Sequence, residues 1–216
     1  MPKPVVIFDF DGTLADTLGA IVQITNQLAE EFGYKPSSPE DLALVRGMGA
    51  WQIIQRSGIS PFKVPKLIRK LQRELHGQIP QIQPFPGITE MLLELHNQGL
   101  QLGIVTSNTI ENVNAFLQVQ HLQDYFTFTI SGTTLFGKHQ VLNKLIKQHH
   151  LTPTKVIYVG DETRDIEAAR KTHIKCISVT WGFNSAAVLS AHHPDYLAHH
   201  PAELLAIIQN LTQGER

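Results

Sequence analysis

The chain has one cysteine in 216 residues, which excludes an intrachain disulfide framework and a metal site built on cysteine alone. That residue, Cys176, lies in the apolar run Cys176-Ile177-Ser178-Val179 and reads as a buried core side chain rather than a reactive thiol. There is no excess of charge of either sign: 18 Lys plus Arg face 19 Asp plus Glu, for a net charge of -1. That balance argues against a general basic face for nucleic acid or a polybasic membrane anchor. No apolar stretch approaches the roughly 20 residues of a membrane span. Met1-Pro2-Lys3-Pro4 runs straight into a strand pattern and then charged residues, unlike a signal peptide. A soluble, cytoplasmic protein is expected, with neither nucleic acid nor membrane as partner. Repeats and low-complexity tracts are absent too.

Hydrophobic residues make up 42% and charged residues 17%, an ordinary globular balance. At about 150 residues per domain, the length suits one large domain or a core with an insert. Pro4-Val5-Val6-Ile7-Phe8 is short, β-branched and apolar without alternation, which suits a strand buried on both faces of a parallel sheet. Similar runs recur at 101–105, 126–130, 155–159 and 175–179, with helix-like segments at 89–97, 140–148 and 165–171. Strand alternating with helix predicts an α/β fold, a Rossmann-like parallel sheet with helices on both faces. In such sheets, sites form beyond the carboxyl ends of the strands.

One interval breaks the alternation. The first strand ends near Asp9, yet the second does not begin until about Gln101, far more chain than a crossover needs. Between them, Leu18 to Phe32 places Ile21, Ile24, Leu28 and Phe32 on one helical face, and Val64, Leu67, Ile68, Leu71 and Leu75 form a second stripe. The opposite side of that second helix carries Lys66, Arg69, Lys70 and Arg73, which read as a solvated face. Pro84-Phe85-Pro86-Gly87 closes the interval with a stiff hinge. The expected organisation is a catalytic core of residues 1–16 and 84–216, with a helical cap of 17–83 inserted after the first strand. The histidine pairs 149–150, 192–193 and 199–200 have no carboxylate or cysteine company at ligand spacing and read as polar helix ends and loops.

The sharpest feature is Asp9-Phe10-Asp11-Gly12-Thr13 directly after the first strand, matched by Gly160-Asp161-Glu162-Thr163-Arg164-Asp165 after the fourth. If the two strands are neighbours, Asp9, Asp11, Asp161 and Asp165 converge, and their mutual repulsion calls for a cation. Hard oxygen ligands of this kind suit Mg²⁺. Thr106-Ser107-Asn108 follows the second strand, where a hydroxyl and backbone N–H groups could hold a phosphate oxygen. Lys138 follows the third and could hold the same anion. Each feature alone is weak, since turns and caps use the same residue types. Together they place one polar element after each of four buried strands.

These motifs are similar to those of the haloacid dehalogenase-like superfamily of phosphohydrolases, in the branch with a small helical cap, and the similarity spans essentially the whole chain. The resemblance implies that Asp9 is the nucleophile and Asp11 the general acid/base. It further implies that Thr106 and Lys138 hold the phosphoryl group, and that Asp161 and Asp165 complete a Mg²⁺ site with Asp9 and Asp11. His139 stands where relatives often have proline after the lysine. A phosphatase acting on a small phosphorylated metabolite, resembling the phosphoglycolate phosphatases, is the leading expectation. A sugar phosphomutase and a non-catalytic phosphate-binding module are the alternatives. In the cap, Val45-Arg46-Gly47-Met48-Gly49-Ala50-Trp51 sets a cation between glycines and an aromatic. Arg46 is therefore a candidate for substrate specificity, against a bland helix–helix turn.

Overall fold

The computed structural model describes residues 4–131 and 137–213; the first three residues of Met1-Pro2-Lys3-Pro4, read as unlike a signal peptide, lie outside it. Six parallel strands form one sheet: β1 (Val5–Phe8), β2 (Gln101–Val105), β3 (Phe126–Ile130), β4 (Val156–Gly160), β5 (Lys175–Val179) and β6 (Tyr196–Ala198), in spatial order β3-β2-β1-β4-β5-β6. The apolar runs do not alternate because both faces of the central strands are covered. On one face Val6, Phe8, Ile104, Val159 and Ile177 join a core with Leu92, Phe116 and Leu204. On the other, Val5, Ile7, Val105 and Tyr158 pack with Leu142, Leu145, Ile166 and Leu189. Cys176 is buried in this second core, and burial pushes its thiol well above the ordinary range, so the side chain is an inert apolar filler.

Helices α5 (Ile88–Asn97), α6 (Ile110–Val119), α7 (Lys138–Gln148), α8 (Thr163–Thr172), α9 (Ala186–Ala191) and α10 (Pro201–Gln213) connect and cover the strands. The chain winds outward from β1 through β2 to β3 and then returns to β4 on the other side of β1. That reversal opens a crevice at the carboxyl ends of β1 and β4.

Between β1 and α5 the described chain carries four α-helices: α1 (Leu18–Phe32), α2 (Pro39–Val45), α3 (Ala50–Ser57) and α4 (Val64–His76). The two apolar stripes read from the sequence are α1 and α4, which pack on each other through Ile24, Leu28, Phe32, Val64 and Leu75. The cations opposite the α4 stripe are mostly turned outward, and Lys66 and Lys70 face Glu31 of α1. The entering and leaving strands of this insert are tied together: Asp16 N–H donates to Gln83 O (3.0 Å) and Phe85 N–H to Leu14 O (3.1 Å). No helix among the described residues is long and apolar enough to cross a membrane.

The paired histidines do stand at helix ends. His121, His150, His173 and His193 adopt left-handed φ angles of 56°, 50°, 57° and 52°, each just beyond a helix, and each N–H returns to a carbonyl of the last turn. Histidine tolerates this region better than most side chains with a Cβ, and here it occupies a position that glycine usually fills.

Candidate active site

Asp9 extends the β1 ladder by one bond, its N–H donating to Val159 O at 2.8 Å. The chain then turns sharply, with the N–H groups of Leu14 and Ala15 both donating to Phe10 O. Gly12 makes the turn possible. Its φ is +75°, and a Cβ there would stand 2.2 Å from a carboxylate oxygen of Asp161 and 2.4 Å from the Phe183 ring. The turn aims the two carboxylates differently. Asp9 is buried, accepting Phe10 N–H (2.8 Å) on Oδ1 and the Lys138 ammonium (2.6 Å) on Oδ2. Asp11 instead accepts both contacts of the Asn108 amide, at 3.0 and 3.1 Å.

Lys138 opens α7 and reaches back across the sheet end. Its Nζ bridges Asp9 Oδ2 and Asp165 Oδ1 (2.5 Å), with the side chain 3% exposed, and lies 5.2 Å from the centre of the Tyr158 ring. Asp165 sits in the first turn of α8 and also accepts Glu162 N–H at 3.0 Å, a capping box. One oxygen from each of Asp9, Glu162 and Asp165 lies within 4.8 Å of the others, which is the geometry of a cation site among the described residues. Asp161 lies at the same strand end, but its oxygens accept the Thr13 hydroxyl and Phe183 N–H, both at 2.7 Å. The sequence motifs therefore meet, although the carboxylate grouped with Asp9 and Asp165 in this geometry is Glu162, for which the sequence predicts no role.

At the end of β2, Thr106 is buried and its Oγ1 accepts Asn108 N–H at 3.0 Å, leaving the hydroxyl proton as a donor. Ser107 is held from two sides. Its carbonyl accepts Gln72 Nε2 of α4 (2.7 Å), and its hydroxyl lies 3.5 Å from Arg164 Nη2. Arg164 pairs with Glu162 and keeps a second buried nitrogen, Nη1, without a partner among the described residues. The sequence reading assigns Arg164 no role, although it stands among Asp161, Glu162 and Asp165. Nor does it assign one to Asn184. Its side chain accepts Thr163 N–H (3.0 Å) and donates to Met48 O (2.9 Å), and Ser185 N–H donates to Arg46 O (2.8 Å). The glycine-flanked segment thus meets the core through its carbonyls, and the Arg46 side chain is half-buried.

The electrostatics are those of an acid-rich cavity. Burial pushes Asp11 up to about 7, with the Asp9 charge adding to the rise and the Asn108 amide and Arg164 opposing it. Asp165 rises to about 6 through burial, restrained by Lys138. Asp161 lies well above the carboxylate range through burial and the charges of Glu162, Asp165 and Asp9. Burial works against charge on Lys138, but Asp165 and Asp9 outweigh it and hold the ammonium above the usual lysine range. Five carboxylates against two cations leave negative charge for hard-cation binding to offset.

A parallel α/β sheet with acidic groups at the switch between β1 and β4 defines a hydrolase-type centre, and comparisons with known proteins give its family. The profile of the family described as haloacid dehalogenase-like hydrolase matches residues 6–179, and the chain belongs to that family. It is 41% identical over 208 residues to a phosphoglycolate phosphatase from Synechococcus elongatus, covering 96% of this chain and 98% of the relative. A phosphoglycolate phosphatase from Vibrio vulnificus is 29% identical, with 94% and 95% covered. Among solved structures, a haloacid dehalogenase-like family hydrolase from Streptococcus pneumoniae superimposes with a TM-score of 0.79 at 26% identity, covering 96% of this chain and 99% of that one.

Proposed function

We propose that the chain is a Mg²⁺-dependent phosphatase of a small phosphorylated metabolite, with phosphoglycolate the first substrate to test. The observation that carries this reading is Asp9, buried and held by Lys138 at the tip of β1, with a second carboxyl raised to about 7 two residues later. In the reading, a carboxylate oxygen of Asp9 attacks phosphorus and the bond to the ester oxygen breaks, while protonated Asp11 gives its proton to the departing alkoxide. Water then attacks the aspartyl-phosphate. Asp11 accepts its proton, the phosphorus–Asp9 bond breaks, and inorganic phosphate leaves. Thr106, Ser107, Asn108 and Lys138 surround the phosphoryl oxygens. Asp9, Asp11, Asp161 and Asp165 would hold the ion, with Glu162 added by the geometry; bound Mg²⁺ supplies charge neutralisation at the transferring group.

Residues 17–83 act as a cap that excludes water and selects the substrate, with Arg46 offered to its non-transferred end. A panel of phosphorylated metabolites, scored by phosphate release with Mg²⁺ and with chelator, tests the reading. Asp9→Asn should lower turnover by at least about a thousandfold, since an amide is a poor nucleophile. Phosphate release in excess chelator, or a variant retaining a tenth of the wild-type rate, refutes it.

A further inference from the structure

A chain of hydrogen bonds runs from α4 of the helical insert to Asp11, and the direction of each bond can be assigned. Asn112 in the first turn of α6 is 1% exposed. Its Nδ2 lies 2.9 Å from Gln72 O, and a carbonyl can only accept, so that atom is the amide nitrogen. The same NH₂ donates to Asn108 Oδ1 at 2.8 Å, and Asn108 Oδ1 also accepts Thr109 N–H at 2.8 Å. With its oxygen held from both sides, Asn108 has only its NH₂ to turn toward Asp11. Asn112 Oδ1 is left as the acceptor for His76 Nδ1 at 2.8 Å, which places the proton of a neutral His76 on Nδ1. Backbone groups at Gln72 and Thr109 anchor the series, so neither amide can flip without losing a bond.

We infer that Asn112 is a positioning residue for the acid/base step, aiming Asn108 at the Asp11 carboxyl while α4 is seated against α6. The inference rests on the reading of Asp11 as general acid. Gln72 closes the arrangement, since it accepts from Asn112 and donates to Ser107 O at 2.7 Å. When α4 lifts away, Asn112 loses Gln72 and His76 together. Its amide can then rotate, and Thr109 N–H alone is left to fix the direction of Asn108. The amide facing the acid is therefore held from both sides only beneath a docked insert.

The test is the double substitution of Asn112→Leu with Asp11→Asn in the full chain with Mg²⁺. Phosphoglycolate has an alkoxide leaving group that needs the acid, and p-nitrophenyl phosphate has one that leaves with little help. Both are followed in the first turnover by rapid quench, before hydrolysis of the acyl-enzyme limits the rate. Asn112→Leu should slow alcohol release from phosphoglycolate about 10–100-fold, the cost of a catalytic group displaced by roughly 1 Å. It should slow nitrophenol release less than about threefold, and it should add nothing on top of Asp11→Asn. Equal losses on both substrates, or full additivity with Asp11→Asn, would mean that Asn112 merely supports the fold, and would overturn the inference. Asp11→Asn alone reports separately on the acid: if it slows both substrates equally, the acid reading fails and the positioning role fails with it. His76→Leu guards against an unfolded Asn112 variant. It should show the same substrate selectivity with a smaller loss, His76→Gln should restore the ratio by keeping a donor, and an unselective loss counts against the inference.

Discussion

Replacing Lys138 with methionine isolates the balance of charge at the site. The ammonium lies 2.6 Å from Asp9 Oδ2 and 2.5 Å from Asp165 Oδ1, with the side chain 3% exposed. Removing one partner of such a buried pair costs about 3–5 kcal/mol, because the remaining charge has neither water nor counter-charge. Methionine nearly preserves the volume and keeps contact with Tyr158, so little of this loss is a cavity. For a chain of this length, about 2–4 °C accompanies each kcal/mol, giving a Tm lower by about 6–20 °C. The size of the effect should depend on pH in a fixed direction. Asp165 already titrates at about 6, raised from 3.8. A carboxyl raised on folding holds a proton that the unfolded chain releases, so its contribution to stability falls as pH rises from about 4 to the folded value. Without the ammonium that value moves higher still, and the fall continues further. The gap between wild type and Lys138→Met should therefore be small near pH 5.5, where a proton replaces the lysine, and full near pH 8. Thermal unfolding in chelator at both pH values measures it, and excess Mg²⁺ should recover part of the loss at the higher pH without recovering turnover. A gap that is equal at both pH values, or below about 1 kcal/mol near pH 8, would refute the view that Lys138 is the resident counter-charge of this cavity.

Two further substitutions test the fold. Gly103 lies on β2, where a Cβ would stand 2.1 Å from the Phe128 ring of the edge strand β3. Gly103→Ala should cost about 1–3 kcal/mol by displacing that ring, read as a lower denaturant midpoint with unchanged slope; an unchanged midpoint would show that β3 yields freely. His173 holds φ +57° on an exposed turn after α8, and His173→Gly should raise stability by about 0.5–1 kcal/mol by removing the left-handed penalty. A lower Tm in that variant would show that the imidazole makes a compensating contribution.

Much of the sheet was legible because its central strands are buried on both faces, which leaves runs such as Val5-Val6-Ile7-Phe8 uninterrupted by polar residues. The stripes of α1 and α4 were equally legible because each buries one face against the other. Helices α2 and α3 were not singled out, for they contain no fully buried residue and hence no stripe. Only the capping signal at Ser38-Pro39-Glu40-Asp41 marks α2. At the site, the motif carboxylates and Lys138 could be picked out because each directly follows a recognisable strand or opens a helix. The Asn108–Asn112–His76 series could not. Its members belong to the β2–α6 turn, α6 and α4, and amides carry no charge or periodicity to betray a partner some 36 residues away in sequence. Asn184 is silent for the same reason, its work being to join two backbones that the order of the chain keeps far apart.

The paired crossing at residues 14–16 and 83–85 brings the two ends of the helical insert to one place. Asp16 N–H bonds to Gln83 O and Ala15 bridges Pro84, so the chain leaves β1 and comes back at neighbouring points. Hydrogen-bonded neighbours lie only about 5 Å apart, a gap that a two- or three-residue turn can close. Adjacent ends are the geometry at which one helical segment can stand in place of another without lengthening the connection to the sheet. Diversification at such a junction changes the roof over the aspartates while leaving the ladder beneath them untouched.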